Sequence, residues 1–283
     1  MTIHKARLRD GILRAALAAG LVLTAAGCAS GGGSRKPDKV TTELLSTPKE
    51  ALFEKGKALI NRKKYELGRK YLTFVFETYP NDPLGREALL MVADSFFRQG
   101  GTTGYTEARF RYRDYLNRYP GAPKRDYARY QFAVCYDKEH EKPDRDQTTT
   151  REAIEQYRLL QKEFPNSAYT AGANDRIRGL ADLLAEHEFG VGYFYMRKGA
   201  PTAALTRFAS LEERFPEYGA RDKLFFFSGA VLERLGRKEE AVRYFSRLIE
   251  EFPASEWAKK AKDRVPRTPP PASASVDTRA KSE

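Results

Sequence analysis

Five aromatic–proline pairs punctuate this chain: Tyr79-Pro80, Tyr119-Pro120, Phe164-Pro165, Phe215-Pro216 and Phe252-Pro253. Each closes an amphipathic run, and proline cannot continue a helix, so a turn must follow each one. The prolines stand 40, 45, 51 and 37 residues apart. Five similar stops imply five repeats, and counting back from each proline identifies the repeat. Gly56 and Gly68 lie 24 and 12 positions before Pro80, Gly192 and Ala204 before Pro216, and Gly229 and Ala241 before Pro253. Small residues at those two places belong to the tetratricopeptide (TPR) unit, where two antiparallel helices cross closely. The second repeat fits if three residues are inserted around Gly100–Gly104, which pairs Ala93 with Ala108. The third needs eight more near Lys138–Thr149, pairing Ala133 with Ala153.

The fold class follows. The chain reads as all-α, a tetratricopeptide-type helical-pair solenoid of five repeats, in two groups joined by a long helix. In such a stack each pair buries its apolar face against its neighbours. Repeats 1–3 occupy 47–166. Residues 167–265 hold the long linking helix, which runs without proline from a cap at Ser167, then repeats 4–5 and a capping helix. Residues 266–283, PRTPPPASASVDTRAKSE from Pro266 onward, have too few apolar side chains to order themselves.

The N-terminus is a processing segment. Lys5, Arg7 and Arg9 precede the uncharged run Ala15–Ala26, which is too short to span a bilayer as a mature helix. That pattern is a secretory signal peptide over residues 1–27. Ala25-Ala26-Gly27-Cys28 resembles the lipobox of bacterial lipoproteins, with Ala25 where Leu is usual. The resemblance implies that Cys28 takes a covalent diacylglycerol and an N-acyl chain and becomes the new N-terminus. Two or more acyl chains hold a protein stably on a membrane. Ala29, where an aspartate would signal inner-membrane retention, favours the periplasmic face of the outer membrane. Residues 28–46 then form a flexible lipidated linker.

Charge and chemistry narrow the function classes. The full chain carries 50 basic and 38 acidic side chains, +12, and removal of residues 1–27 leaves +9. An exported protein meets no nucleic acid, so acidic proteins or anionic lipid surfaces are the expected partners. With Cys28 lipidated, Cys135 is the one remaining thiol. It sits in the apolar phase of YARYQFAVCY, as a buried inert group. His140 and His187 each neighbour carboxylates. Adjacent residues point to different sides of a helix, however, and HEFGV lacks the second histidine of a zinc site. No Walker loop, GxSxG motif or supported Ser/His/Asp set is present. The reading is a non-enzymatic protein without metal or other cofactor.

Two stretches, DRDQTTTREAIEQYRLLQKEFPNSAYTAGANDRI at 144–177 and EHEFGVGYFYMRKGAPTAALTRF at 186–208, resemble the BamD family, the TPR lipoprotein of the outer-membrane β-barrel assembly machinery. The resemblance implies docking of the C-terminal repeats on a POTRA domain of a BamA-type barrel insertase, beside other Bam lipoproteins. It places at Arg207 an arginine that reaches an acidic partner. Residue type alone leaves Arg207 a solvated helix charge. The resemblance also implies that the N-terminal repeats receive unfolded outer-membrane proteins, whose last strand ends in an aromatic residue and a free carboxylate. Phe53, Lys57, Ile60, Leu90, Asp94 and Phe97 share the inward phase there, with Phe53 and Phe97 to accept the ring and Lys57 the carboxylate. The same residues also fit plain packing against the next repeat. A TPR protein of another envelope system, such as one linked to Tol-Pal and peptidoglycan, is the alternative, although such proteins typically carry a coiled coil where this chain has a short polar linker.

Overall fold

The structure is a computed structural model and describes residues 39–266. The signal segment, Cys28 and the tail beyond Pro266 lie outside the described residues. The chain divides into two units, residues 1–47 and 48–283. The described part of the first is a helix, α1 (Lys39–Ser46). The flexible linker expected to run through Ser46 is therefore helical over its last eight residues. The glycines end at Gly33 and the last proline of this stretch before α1 is Pro37, so nothing in KVTTELLS breaks a helix.

The second unit is a succession of helices: α2 (Lys49–Asn61), α3 (Tyr65–Thr78), α4 (Pro83–Gln99), α5 (Gly101–Arg118), α6 (Arg125–Asp137), α7 (Thr148–Glu163), α8 (Tyr169–Arg197), α9 (Pro201–Arg214), α10 (Arg221–Arg234), α11 (Lys238–Glu251) and α12 (Glu256–Ala261). A 3₁₀ turn follows at Lys262–Arg264, and no strand occurs among the described residues. The aromatic–proline pairs act as read. Tyr79, Tyr119, Phe164, Phe215 and Phe252 each follow the last residue of a helix, with φ between −124° and −136°. Each still donates its N–H to the carbonyl four residues back, at 2.8–3.1 Å. The proline next to it pushes the aromatic residue out of the α region, which ends the helix there.

The small residues mark where paired helices touch. A β-carbon at Gly56 would lie 2.7 Å from Leu72 Cγ, and one at Gly68 the same distance from Ile60 Cδ1. Rising numbers on α2 meet falling numbers on α3, so the pair is antiparallel. At Gly192 and Gly229 the added atom would stand 2.5 and 2.6 Å from the rings of Phe208 and Phe245. The extra residues of the second repeat form no loop: α4 and α5 are long helices joined through Gly100 alone, φ +73°. Those of the third repeat do form one, residues 138–147. The Gln147 amide closes it by donating to the carbonyls of Lys142 and Arg145 at 2.8 and 3.1 Å.

The long helix α8 belongs to two cores. Its first half puts Ala173 and Leu180 with Ala133, Ile154, Tyr157 and Leu160. Its second half puts Ala185, Phe189 and Met196 with Phe208, Leu211, Leu224 and Val231. Ser167 stands two residues ahead of α8 and accepts the Tyr169 N–H at 3.2 Å. A third core around Phe225, Phe226, Phe245 and Leu248 is closed by Ala258 and Ala261 of α12.

Candidate partner-binding surfaces

Arg207 lies on α9, the second helix of the fourth pair, with its side chain 48 % exposed. Glu188 of α8 stands beneath it. One oxygen of Glu188 is 3.7 Å from Arg207 Nη1, and the other accepts from Arg214 Nη1 at 3.3 Å. The carboxylate is largely covered while both guanidinium groups reach solvent. Because Arg214 holds Glu188 more closely, an incoming carboxylate can take Arg207 without stranding a buried charge. On the same long helix Phe194 is 55 % exposed. It forms one wall of a shallow depression with Gly190, Tyr193, Arg197 and Lys198. It also borders a cleft of ≈ 680 Å³ between α8 and the 138–147 loop, lined by Lys142, Pro143, His187 and Val191. His187 Nδ1 lies 2.6 Å from the Pro143 carbonyl and so donates to it. Loop and helix are thereby tied. His140 Nδ1 is likewise 2.5 Å from the Asp137 carbonyl.

The six residues grouped at the N-terminal end do not line one groove. Phe53, Ile60 and Leu90 are core side chains, exposed by 5 % or less, so Phe53 offers no open face to an incoming ring. The physical reason is that α2 turns Leu52, Phe53, Gly56 and Ile60 to one side, a stripe wide enough to be covered on both flanks. Asp94 is held by two tyrosines: Tyr112 and Tyr127 donate to the same Oδ1 at 2.7 and 2.9 Å. Burial raises its pKa, against the pull of the two hydroxyls. Phe97 packs on Tyr105, with ring centroids 5.6 Å apart. Lys57 alone of the six is exposed, 3.5 Å from Glu54 and 6.0 Å from the Phe53 ring centroid.

Cys135 is a free, buried thiol whose pKa burial pushes up to about 12, the inert state expected of it. Glu188 was missed in the sequence, because it approaches Arg207 across a helix pair, at no fixed spacing. Phe194 was legible in principle as the one ring of YFYMRK on the solvent side of α8.

The fold is that of a helical-repeat protein of the tetratricopeptide class, and a TPR model matches residues 228–255 directly. The chain belongs to the YfiO family of outer membrane lipoproteins, whose model matches residues 46–241. Relatives named outer membrane protein assembly factor BamD occur in several bacteria. That of Caulobacter vibrioides is 29 % identical over 252 residues, covering 89 % of this chain and 80 % of the relative. That of Rickettsia prowazekii is 28 % identical, covering 87 % and 93 %. The Haemophilus influenzae protein is 24 % identical over 65 % of this chain and 73 % of its own.

Proposed function

We propose that this chain is a non-enzymatic scaffold of outer-membrane protein assembly, anchored to the periplasmic face of the outer membrane through lipid on Cys28. It docks on a POTRA domain of a BamA-type insertase through the α8–α9 surface and helps receive unfolded outer-membrane proteins at its N-terminal repeats. The observation that carries the docking surface is Arg207, half exposed and shared with Arg214 over Glu188. A partner carboxylate gains a bidentate, charge-assisted contact there. Phe194 supplies exposed apolar area on the same long helix. For substrate reception Lys57 is the exposed member of the N-terminal set, as the cation for a terminal carboxylate.

The test is the affinity of the purified mature chain for the periplasmic part of the barrel partner. Arg207→Ala should weaken binding by about tenfold or more, the loss of one desolvated charge pair. Arg207→Glu should weaken it further, and an acid-to-arginine change on the partner should restore part of it. Arg207→Ala binding as tightly as wild type would move the contact elsewhere. The anchor is tested separately: a fatty-acid probe should label the wild-type chain and not Cys28→Ala.

A further inference from the structure

The turn between α2 and α3 differs from its counterparts. Where α8 meets α9 and α10 meets α11, the left-handed position is held by Gly199 and Gly236, with φ +76° and +75°. Where α2 meets α3 it is held by Lys63, φ +60°, the one non-glycine residue with positive φ among those described. Glycine adopts that conformation freely, whereas a lysine holds it at a cost to stability. Lys63 therefore places a charge at a position that glycine would occupy without strain.

Lys63 opens onto a cleft of ≈ 680 Å³ that it lines with Lys64, Glu66, Arg69, Lys70 and Gln99. Lys63, Lys64 and Lys70 make no ion pair among the described residues. The Arg69 guanidinium lies over the Phe96 ring, 4.0 Å from its centroid, and its Nη1 is buried with no hydrogen-bond partner. Burial lowers its pKa. Glu107 of α5 lies near enough to act on the Arg69 charge. One turn along the same face of α5, Phe110 is 51 % exposed. The guanidinium groups of Arg111 and Arg113 stand 5.4 and 5.9 Å from its ring centroid. Arg111 also has a buried nitrogen, Nε, without a partner.

We propose that the first two repeats dock on an anionic lipid surface: the cleft at Lys63 takes headgroup phosphates, and Phe110 enters the interface between Arg111 and Arg113. Four cations face the cleft against Glu66 and Glu107, which gives the charge complementarity. A ring set between cations fits a headgroup layer, whereas a dissolved phosphate makes no use of it. The inference rests on the reading that Cys28 is lipidated, because the first repeat is the one nearest to Cys28 in the sequence.

The test uses the mature chain from residue 28 with Cys28→Ala, so that acylation plays no part. Phosphatidylcholine vesicles with and without a quarter of phosphatidylglycerol are compared by flotation. The chain should float with the anionic vesicles, less so at high salt, and hardly with the neutral ones. Lys63→Gly should melt higher than the parent yet bind anionic vesicles about fivefold more weakly, the effect of one cation near a charged surface. Opposite signs in the two measurements separate a binding role from a structural one. Phe110→Ser should also weaken flotation. Equal flotation with both vesicle types, or unchanged binding by Lys63→Gly, would overturn the proposal. Release of the chain from vesicles by millimolar inorganic phosphate would overturn the lipid assignment in favour of a soluble phosphate. No arm of this experiment involves the barrel partner or the anchor, so its failure and that of the proposed function are distinguishable.

Discussion

Repeats 2 and 3 fix their helix pairs differently from repeats 4 and 5, and one position carries the difference. It is the fourth residue after the small residue of the second helix: Tyr112 and Tyr157 in the former, Phe208 and Phe245 in the latter. All four side chains are fully buried. In repeats 4 and 5 the ring rests directly on Gly192 or Gly229 of the first helix. In repeats 2 and 3 the first helix carries Ala93 or Ala133 instead, and the ring bears a hydroxyl that donates to a carboxylate, Asp94 at 2.7 Å or Asp137 at 2.8 Å. Each carboxylate is also bound from the next helix, Asp94 by Tyr127 on α6 and Asp137 by Arg176 on α8. Contact of ring on glycine fixes only the distance within one pair. The carboxylate ties three successive helices by directional bonds, so it also sets how one repeat turns on the next.

The largest effect should come from breaking the tie at Asp137, which is 2 % exposed and accepts both Arg176 bonds at 2.6 Å. Arg176→Leu leaves that carboxylate to Tyr157 and to His140, whose Nδ1 is 3.4 Å away. The expected loss is about 3–5 kcal/mol in urea unfolding, the usual result of stranding a buried charge. Asp137→Leu combined with Arg176→Leu should recover part of it, since the pair is then replaced by apolar volume. If Arg176→Leu alone is near neutral, the carboxylate is not what joins repeat 3 to the long helix.

The glycine contact should be the next most sensitive. Gly229→Leu forces its side chain into the Phe245 ring and should cost roughly 1–3 kcal/mol or more. Gly179→Ala on α8 is the control. Apart from its chain neighbours and the adjoining backbone of its own helix, no atom lies within 4 Å of its added carbon, and the change should stabilise by about 0.5–1 kcal/mol through helix propensity. Thermal melts of the two variants moving in the same direction would refute the assigned contact.

That contact was legible in the sequence because Gly192 and Gly229 stand at a fixed count from a proline, and both ends of the measurement are local. The helix stops at Tyr79, Tyr119, Phe164, Phe215 and Phe252 were legible for the same reason. The surfaces were not. Phe53, Ile60 and Leu90 have the inward phase, but the period that faces a residue toward the groove also faces it toward the neighbouring helix, and only the packed neighbour decides. The insert near Gly100 lengthened two helices rather than a loop, because TTGYTEAR contains no helix-stopping proline. Glu188 under Arg207 depends on a crossing between helices that no spacing encodes.

The smallest effect separates the two carboxylate ties from one another. Asp94 has no cation in hydrogen-bonding contact; it accepts only from neutral Tyr112 and Tyr127, and burial raises its pKa. A carboxyl whose folded pKa is raised binds its proton more tightly in the native state. Its contribution to stability is therefore fully present below the unfolded value, near 3.9, and is lost as pH rises through the folded value. Asp94→Asn keeps an oxygen that can accept from both tyrosines and removes the charge. It should be slightly more stable than the parent at neutral pH, by about 1 kcal/mol or less, the scale of a neutral hydrogen-bond exchange. The advantage should fade as the pH is lowered, where the parent is itself protonated. Asp137→Asn, facing Arg176, should instead destabilise at neutral pH, because it removes the negative charge and turns one of the two oxygens that accept from Arg176 into an N–H donor. Urea unfolding of both variants across this pH range would decide the matter: the same sign at neutral pH would mean that the two ties are one device rather than two.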